Sequence, residues 1–152
     1  MPNIVISDTS CLILFHKIDH LEILLRVYQN VITTPQIASE FNETLPSWIK
    51  IVSVKDQKYL DFLSTQVDLG EASAIALAKE LDNPLVILDE LKGRKLAKQL
   101  GLKITGSLGI IHKAKELGVI EAIKPILDKI TETNFRISDK ILAELLLLNN
   151  ES

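Results

Sequence analysis

The chain is short of the residues that support redox, disulfide and zinc chemistry, with one cysteine and three histidines in 152 residues. A single thiol cannot close an internal disulfide, and Cys11 lies among apolar neighbours, so it is expected to be reduced, buried and unreactive. His16 and His20 have the i, i+4 spacing of a metal-binding pair. Between them, however, Asp19 and Glu22 form a capping-box pattern that restarts a helix, so the two rings are not expected on one face. His112 sits on a separate helical segment. Long apolar runs are missing too: hydrophobic residues make up 47% of the chain, yet no stretch approaches the roughly 18 residues that a membrane-spanning helix needs. The N-terminus enters an apolar strand directly, without the basic and apolar regions of a secretory leader, and the expectation is a cytoplasmic protein with no membrane association. There is no repeat, low-complexity tract or linker, so residues 1–152 are expected to form one domain, long enough to bury about two-thirds of its unfolded surface.

Acids and bases are sorted along the chain. The net charge is −3, but residues 1–90 carry 6 Lys and Arg against 13 Asp and Glu, whereas residues 91–152 carry 11 against 7. Between Lys92 and Lys115, seven bases (Lys92, Arg94, Lys95, Lys98, Lys103, Lys113 and Lys115) are interrupted by no acid. Such a stripe suits contact with a phosphate backbone, and a solvated helix face has the same composition.

The organising stretch is residues 3–10, Asn-Ile-Val-Ile-Ser-Asp-Thr-Ser. An apolar run without alternation reads as a strand buried on both faces, as at the centre of a parallel sheet, and Asp8 closes it. Ligands of open α/β sheets bind outside the carboxyl ends of the strands, so Asp8 is placed for chemistry. Thr9 or Ser10 is expected to cap a short helix ending near His16, and a second helix is expected to begin at Asp19. A strand at 30–33 leads to Thr34-Pro35, a hydroxyl cap followed by proline at the first helical position. Ile37 and Phe41 then share a buried face with Glu40 at its border. A third strand is expected at about 49–54 and a short helix at 56–64.

Asp68 to Glu71 opens an alanine-rich helix reaching Leu81. The two acids have capping-box spacing, which leaves Glu71 either a cap or a functional acid. A second uninterrupted apolar strand, 85–88, ends in Asp89-Glu90 much as the first ends in Asp8. A helix over about 91–100 carries much of the basic stripe and stops at Gly101. Next come a strand at 102–105, a helix capped by Ser107 and ending at Gly118, and a helix over 121–130 with Pro125 in its first turn or at a kink. Ser138 caps a last helix, 138–149, whose leucines cover more than one stripe and so require a second surface, either the domain itself or an interface. Strands alternating with helices through residue 118 predict an α/β domain: three layers, α/β/α, around a mainly parallel central sheet of about five strands.

If Asp8, Glu40, Glu71 and Asp89 meet at one sheet edge, four negative charges repel one another and need neutralising. A hard divalent cation does this, and oxygen-only donors without clustered His or Cys point to Mg²⁺ or Mn²⁺ rather than Zn²⁺. Such a cation acidifies water and clamps a phosphoryl oxygen, as phosphodiester hydrolysis needs. The stripe that begins just after Asp89, with Lys92, Arg94, Lys95 and Lys98, would hold nucleic acid beside it.

The ordered set Asp8-Thr9-Ser10, Pro35 with Glu40 five residues on, Leu69-Gly70-Glu71-Ala72, and Leu88-Asp89-Glu90 followed by Gly93-Arg94-Lys95-Leu96-Ala97 resembles a PIN domain. Gly101-Leu102-Lys103, Thr105-Gly106-Ser107-Leu108-Gly109 and Ala114-Lys115 resemble, more narrowly, the PIN-like toxins related to VapC. The likeness runs from about residue 3 to 148. It implies a metal-dependent endoribonuclease, the toxin of a type II toxin–antitoxin pair, silenced by a cognate antitoxin protein and often a homodimer. It further implies that Asp8 is a direct ligand of Mg²⁺ or Mn²⁺, that Asp89 shares it, and that Glu40 and Glu71 complete the acidic cluster and orient water. Thr9, Ser10 and Glu90 would support that cluster, the hydroxyls by a hydrogen bond to Asp8, while Lys92, Arg94, Lys95 and Lys98 would face the RNA. Two positions depart from the family pattern. Ile87 stands two before the fourth acid, where many PIN nucleases have a hydroxyl, so Asp89 gets no support from there. Glu71 replaces the more usual Asp and lengthens its reach.

Two other classes fit parts of the pattern. A PIN-like module that binds RNA or protein without cutting would keep the basic stripe and could lose the acids, yet all four are present. A phosphotransferase with Asp8 as nucleophile needs a second Asp two residues on, and Ser10 stands there.

Overall fold

The unbroken apolar character of the first strand follows from its position. In a computed structural model, which describes residues 4–151, β1 (Ile4–Ile6) pairs in parallel on one side with β2 (Asn30–Thr33). Its other side pairs with a later strand, Leu85–Ile87. Val5 and Ile6 are consequently fully buried. Asn3, expected to open this strand, lies outside the described residues. Beyond β2 lies β3 (Ile49–Ile51). The Leu85–Ile87 strand is β4, and it pairs with β5 (Lys103–Thr105). The sheet is therefore all parallel in the order β3-β2-β1-β4-β5. The chain adds strands in one direction through β3, then returns to the other side of β1. In open α/β sheets the gap where the order reverses is where ligands bind, and here it opens between the carboxyl ends of β1 and β4.

The described residues form nine helices: α1 (Thr9–Lys17), α2 (Glu22–Tyr28), α3 (Pro35–Phe41), α4 (Gln57–Leu63), α5 (Leu69–Glu80), α6 (Leu91–Gln99), α7 (Ser107–Glu116), α8 (Lys124–Thr131) and α9 (Asp139–Leu148). Contacts of α2 with β2 and α7, and of α5 with β4, α3, α4 and α6, build the helical layers of a three-layer α/β/α fold. Ala72, Ala74, Ala76 and Ala78 on α5 are essentially inaccessible to solvent, and such small side chains let the helix approach its neighbours closely. No helix among the described residues is long and apolar enough to cross a membrane.

Most helix starts follow their local chemistry. The side chains of Thr34, Asp56, Asp68 and Ser138 accept from the backbone N–H groups of Ile37, Tyr59, Glu71 and Ile141. Three expected caps differ. Asp8 itself, not Thr9 or Ser10, caps α1 by accepting from Cys11 N–H. Asp19 takes φ +58°, because the chain must reverse between α1 and α2; a residue in that left-handed conformation cannot be an extended N-cap, and α2 starts behind Leu21 without a side-chain cap. Ser107 is the first residue of α7 rather than its cap, which is Gly106, and its hydroxyl is used elsewhere.

The last helix is tied back at its end. Glu151 accepts from the N–H groups of Ile123 and Lys124 and pairs with Lys115 at 2.6 Å, while the Asn149 carbonyl accepts from Lys115. Leu142, Leu145 and Leu146 pack on the core, whereas Ile141, Leu147 and Leu148 remain exposed.

Candidate active site

The two strand-end acids meet at the reversal point. Asp8 is 3% exposed, with Oδ1 accepting from Cys11 N–H at 3.0 Å and Oδ2 accepting from Asp89 N–H at 3.1 Å. The first bond fixes the start of α1, and the second stitches β1 to β4 through their carboxyl ends. Asp89 is held in turn by Ser107, whose N–H donates to Oδ1 at 2.8 Å and whose Oγ donates to Oδ2 at 2.6 Å. The support that Ile87 could not give from β4 thus comes from the neighbouring strand's exit, at the first turn of α7, where N–H groups favour an anion.

The two glutamates approach from α3 and α5, and each needs a glycine opposite it. Glu40 is exposed, and its Oε1 accepts from Thr9 Oγ1 at 2.5 Å. Thr9 therefore orients Glu40 rather than supporting Asp8, as had been expected. A Cβ at Gly70 would run into the Glu40 carboxylate, and a Cβ at Gly93 into that of Glu71. The missing side chain at Gly93 thus leaves room on α6 for the Glu71 carboxylate. Glu71 is 8% exposed, and its Oε1 is buried without a hydrogen-bond partner. Asp68 accepts from Glu71 N–H at 2.9 Å and its own N–H faces the Glu71 carboxyl in return, the capping-box arrangement, while Oε1 stays unpartnered.

These residues enclose a cleft of about 40 Å³ lined by the carboxyl groups of Asp8, Glu40, Asp68, Glu71 and Glu90 and the hydroxyls of Thr9 and Ser10. Asp89 does not line it; it is joined to the cleft through its N–H bond to Asp8. Asp68 belongs to this wall and was not expected there; its cap position, three residues before Glu71, was the available signal. Burial, then the neighbouring Asp68 carboxyl and the charge of Glu90, push the Glu71 pKa up to about 8. Burial and next the charge of Asp89 hold Asp8 well above the usual carboxylate range, with the Cys11 and Asp89 N–H bonds opposing.

Burial is the larger cause of both shifts, and the carboxyl groups gathered here add to it. Among the described residues no three His, Cys, Asp or Glu side chains stand, as placed, in a constellation that could hold a metal ion. The donor chemistry nevertheless fits a hard divalent cation: it is all oxygen, it includes one buried, unpartnered Oε1, and burial together with neighbouring carboxyl groups drives two of its acids toward the protonated state.

The basic stripe divides. Lys92, Lys95 and Lys98 are exposed on α6, whereas Arg94 is half-buried and donates through Nη1 to the Leu88 carbonyl at 2.7 Å, bracing the end of β4. The histidines take no part in the cleft. His16 packs edge-on against Phe41, His20 faces Glu22, and His112 bonds Asn149. Cys11 is a free thiol with no exposure, and burial pushes it well above its ordinary pKa, which removes the thiolate that reactivity would need.

A doubly wound parallel sheet with paired acids at its reversal point and two further glutamates above them defines a fold of the nuclease type. A family model described as a PIN domain matches residues 4–151, and the chain belongs to that family, whose members are in general nucleases and typically use divalent metals. No curated protein and no solved structure matches the chain significantly.

Proposed function

We propose that this PIN domain is a Mg²⁺- or Mn²⁺-dependent endoribonuclease, the toxin of a type II toxin–antitoxin pair. The observation that carries the nuclease reading is the acidic cleft at the β1/β4 reversal, with Asp8 and Asp89 joined by a hydrogen bond and Glu71 left with an unpartnered oxygen. Asp8, Asp89 and Glu71 would hold the cation, which when bound supplies Lewis acidity at a phosphodiester and a readily deprotonated water. Glu40, exposed and oriented by Thr9, is the acid best placed to accept a proton from an attacking water. Ser107 aims Asp89 by donating to both its oxygens. Lys92, Lys95 and Lys98 would attract the phosphate backbone to the α6 side of the cleft.

The toxin assignment rests on the VapC-like motifs between Gly101 and Lys115. It carries with it a cognate antitoxin and a homodimer, for which the exposed Ile141, Leu147 and Leu148 of α9 offer an apolar face. A binding module that does not cut is the competing reading. The deciding experiment incubates end-labelled RNA with wild type and Asp8→Asn protein, with and without Mn²⁺, and follows binding by gel shift alongside cleavage. Cutting that requires Mn²⁺ and is lost in Asp8→Asn supports the nuclease. Equal binding by both proteins with no cutting by either leaves only the module.

A further inference from the structure

The acidic cleft does not end at the carboxylates. Ser10 and Glu90 on its rim are also the near wall of a larger chamber of about 420 Å³, whose other walls are Ile13, Leu14 and Lys17 of α1 and the segment Thr133, Asn134 and Phe135 after α8. Lys17, Thr133 and Asn134 are shared in turn with an outer chamber of about 650 Å³ that reaches Lys129 and Glu132. One continuous trough therefore leads from the site along α1, on a path that does not use the basic face of α6.

Its chemistry changes along its length. The inner chamber has an apolar floor from Ile13, Leu14 and Phe135, and among the described residues Lys17 is the one cation lining it. The segment that carries Phe135 is fixed: Thr133 Oγ1 donates to the Ile130 carbonyl at 2.6 Å and accepts from Phe135 N–H at 3.1 Å. Lys17 Nζ donates to Asn134 Oδ1 at 3.3 Å across the trough, which holds the Asn134 amide so that its N–H groups remain for an acceptor. Glu90 stands at the end of the inner chamber that adjoins the acidic cleft and Lys17 at the other, while in the outer chamber Asp19 and Glu132 offset Lys17 and Lys129, so the place for a phosphate in the inner chamber is at Lys17, away from Glu90.

We propose that the inner chamber is a subsite for one unpaired nucleotide of RNA adjoining the phosphate that is cut, with the base over Phe135 and Ile13, its edge read by Asn134, and its phosphate on Lys17. This rests on the nuclease reading of the cleft. An aromatic floor beside a single cation and an amide is how unpaired RNA bases are held and discriminated, and a duplex cannot offer a splayed base to a chamber of this size.

The test measures anisotropy of fluorescein-labelled single-stranded RNA octamers of U, A, C or G with the full chain in Ca²⁺, after checking that the RNA stays intact. Lys17→Glu is expected to weaken binding tenfold or more, and Phe135→Leu, which keeps an apolar contact with the core, fivefold or more. Asn134→Ala is expected to change the ratio of affinities among the four octamers by at least threefold. Lys140→Glu, the same charge change on exposed α9, is expected to stay within twofold of wild type. Lys17→Glu no weaker than Lys140→Glu, Phe135→Leu equal to wild type, an unchanged ratio in Asn134→Ala, or no RNA binding by wild type would each overturn the subsite. Trough-dependent binding without any cleavage in Mn²⁺ would instead sink the nuclease reading and leave the subsite standing.

Discussion

Glu71→Gln isolates the electrostatic problem that the site poses without a cation, because glutamine keeps the shape and removes the ionisation. The folded protein holds the Glu71 proton up to about pH 8, whereas an unfolded chain releases it near the ordinary value of 4.5. Between those two values the folded state binds the extra proton, so wild-type stability falls as pH rises through that window and the penalty is complete above about pH 8. A pKa moved that far corresponds to as much as about 5 kcal/mol. Water reaches the carboxyl through the cleft, and screening reduces this to about 1–2 kcal/mol. For a chain of this size that is a shift of about 2–8 °C. Thermal denaturation in EDTA should therefore show Glu71→Gln level with wild type near pH 4.5 and more stable by that margin at pH 9. A difference that is constant across pH, or one that grows toward acid, would refute the assignment of Glu71 as a buried acid whose proton is held by burial and neighbouring carboxyls.

Other expectations follow from neighbouring contacts. Ser107→Ala removes the Oγ bond to Asp89 while leaving the N–H bond, and should cost about 1–3 kcal/mol in urea denaturation and lower Mn²⁺-dependent cleavage at least tenfold. Gly93→Ala places a methyl group against the end of a flexible glutamate, which can swing aside, so stability should change by less than about 1 kcal/mol while Mn²⁺ affinity, followed by calorimetry, falls severalfold. Because Glu71 must lose its proton to bind a cation, apparent Mn²⁺ affinity should rise about tenfold per pH unit up to about pH 8 and then level off; a flat profile from pH 6 to 9 would exclude Glu71 as a ligand. If α9 forms the dimer, Leu147→Glu with Leu148→Glu should give a folded monomer in sedimentation velocity.

How much of this was legible in the sequence depended on whether the signal was local. Unbroken apolar runs identified β1 and β4 as inner strands, and the acids that end them proved to be hydrogen-bonded neighbours. Thr34-Pro35 marked the start of α3 correctly, since a cap is a contact within one turn. Asp19 misled because the capping-box pattern records residue types and not the left-handed turn that the α1–α2 reversal imposes. Ser107 was misassigned for a different reason: its partner is Asp89, 18 residues earlier, and only the pairing of β4 with β5 brings the two together. The roles of Gly70 and Gly93 are likewise invisible in sequence, being spaces left on one helix for a carboxylate on another. The inner chamber beside Phe135 is assembled from residues more than a hundred positions apart and has no local signature.

The measurement that bears most directly on the site is a Mn²⁺ titration followed by electron paramagnetic resonance, comparing wild type with Asp8→Asn at pH 8 and with folding of both checked by circular dichroism. The expected result is at least one Mn²⁺ bound per wild-type chain, removed from the free-ion signal at micromolar protein, and none held by a folded Asp8→Asn. Equal uptake by the two proteins, or no uptake by wild type, would contradict a cation site at the junction of β1 and β4.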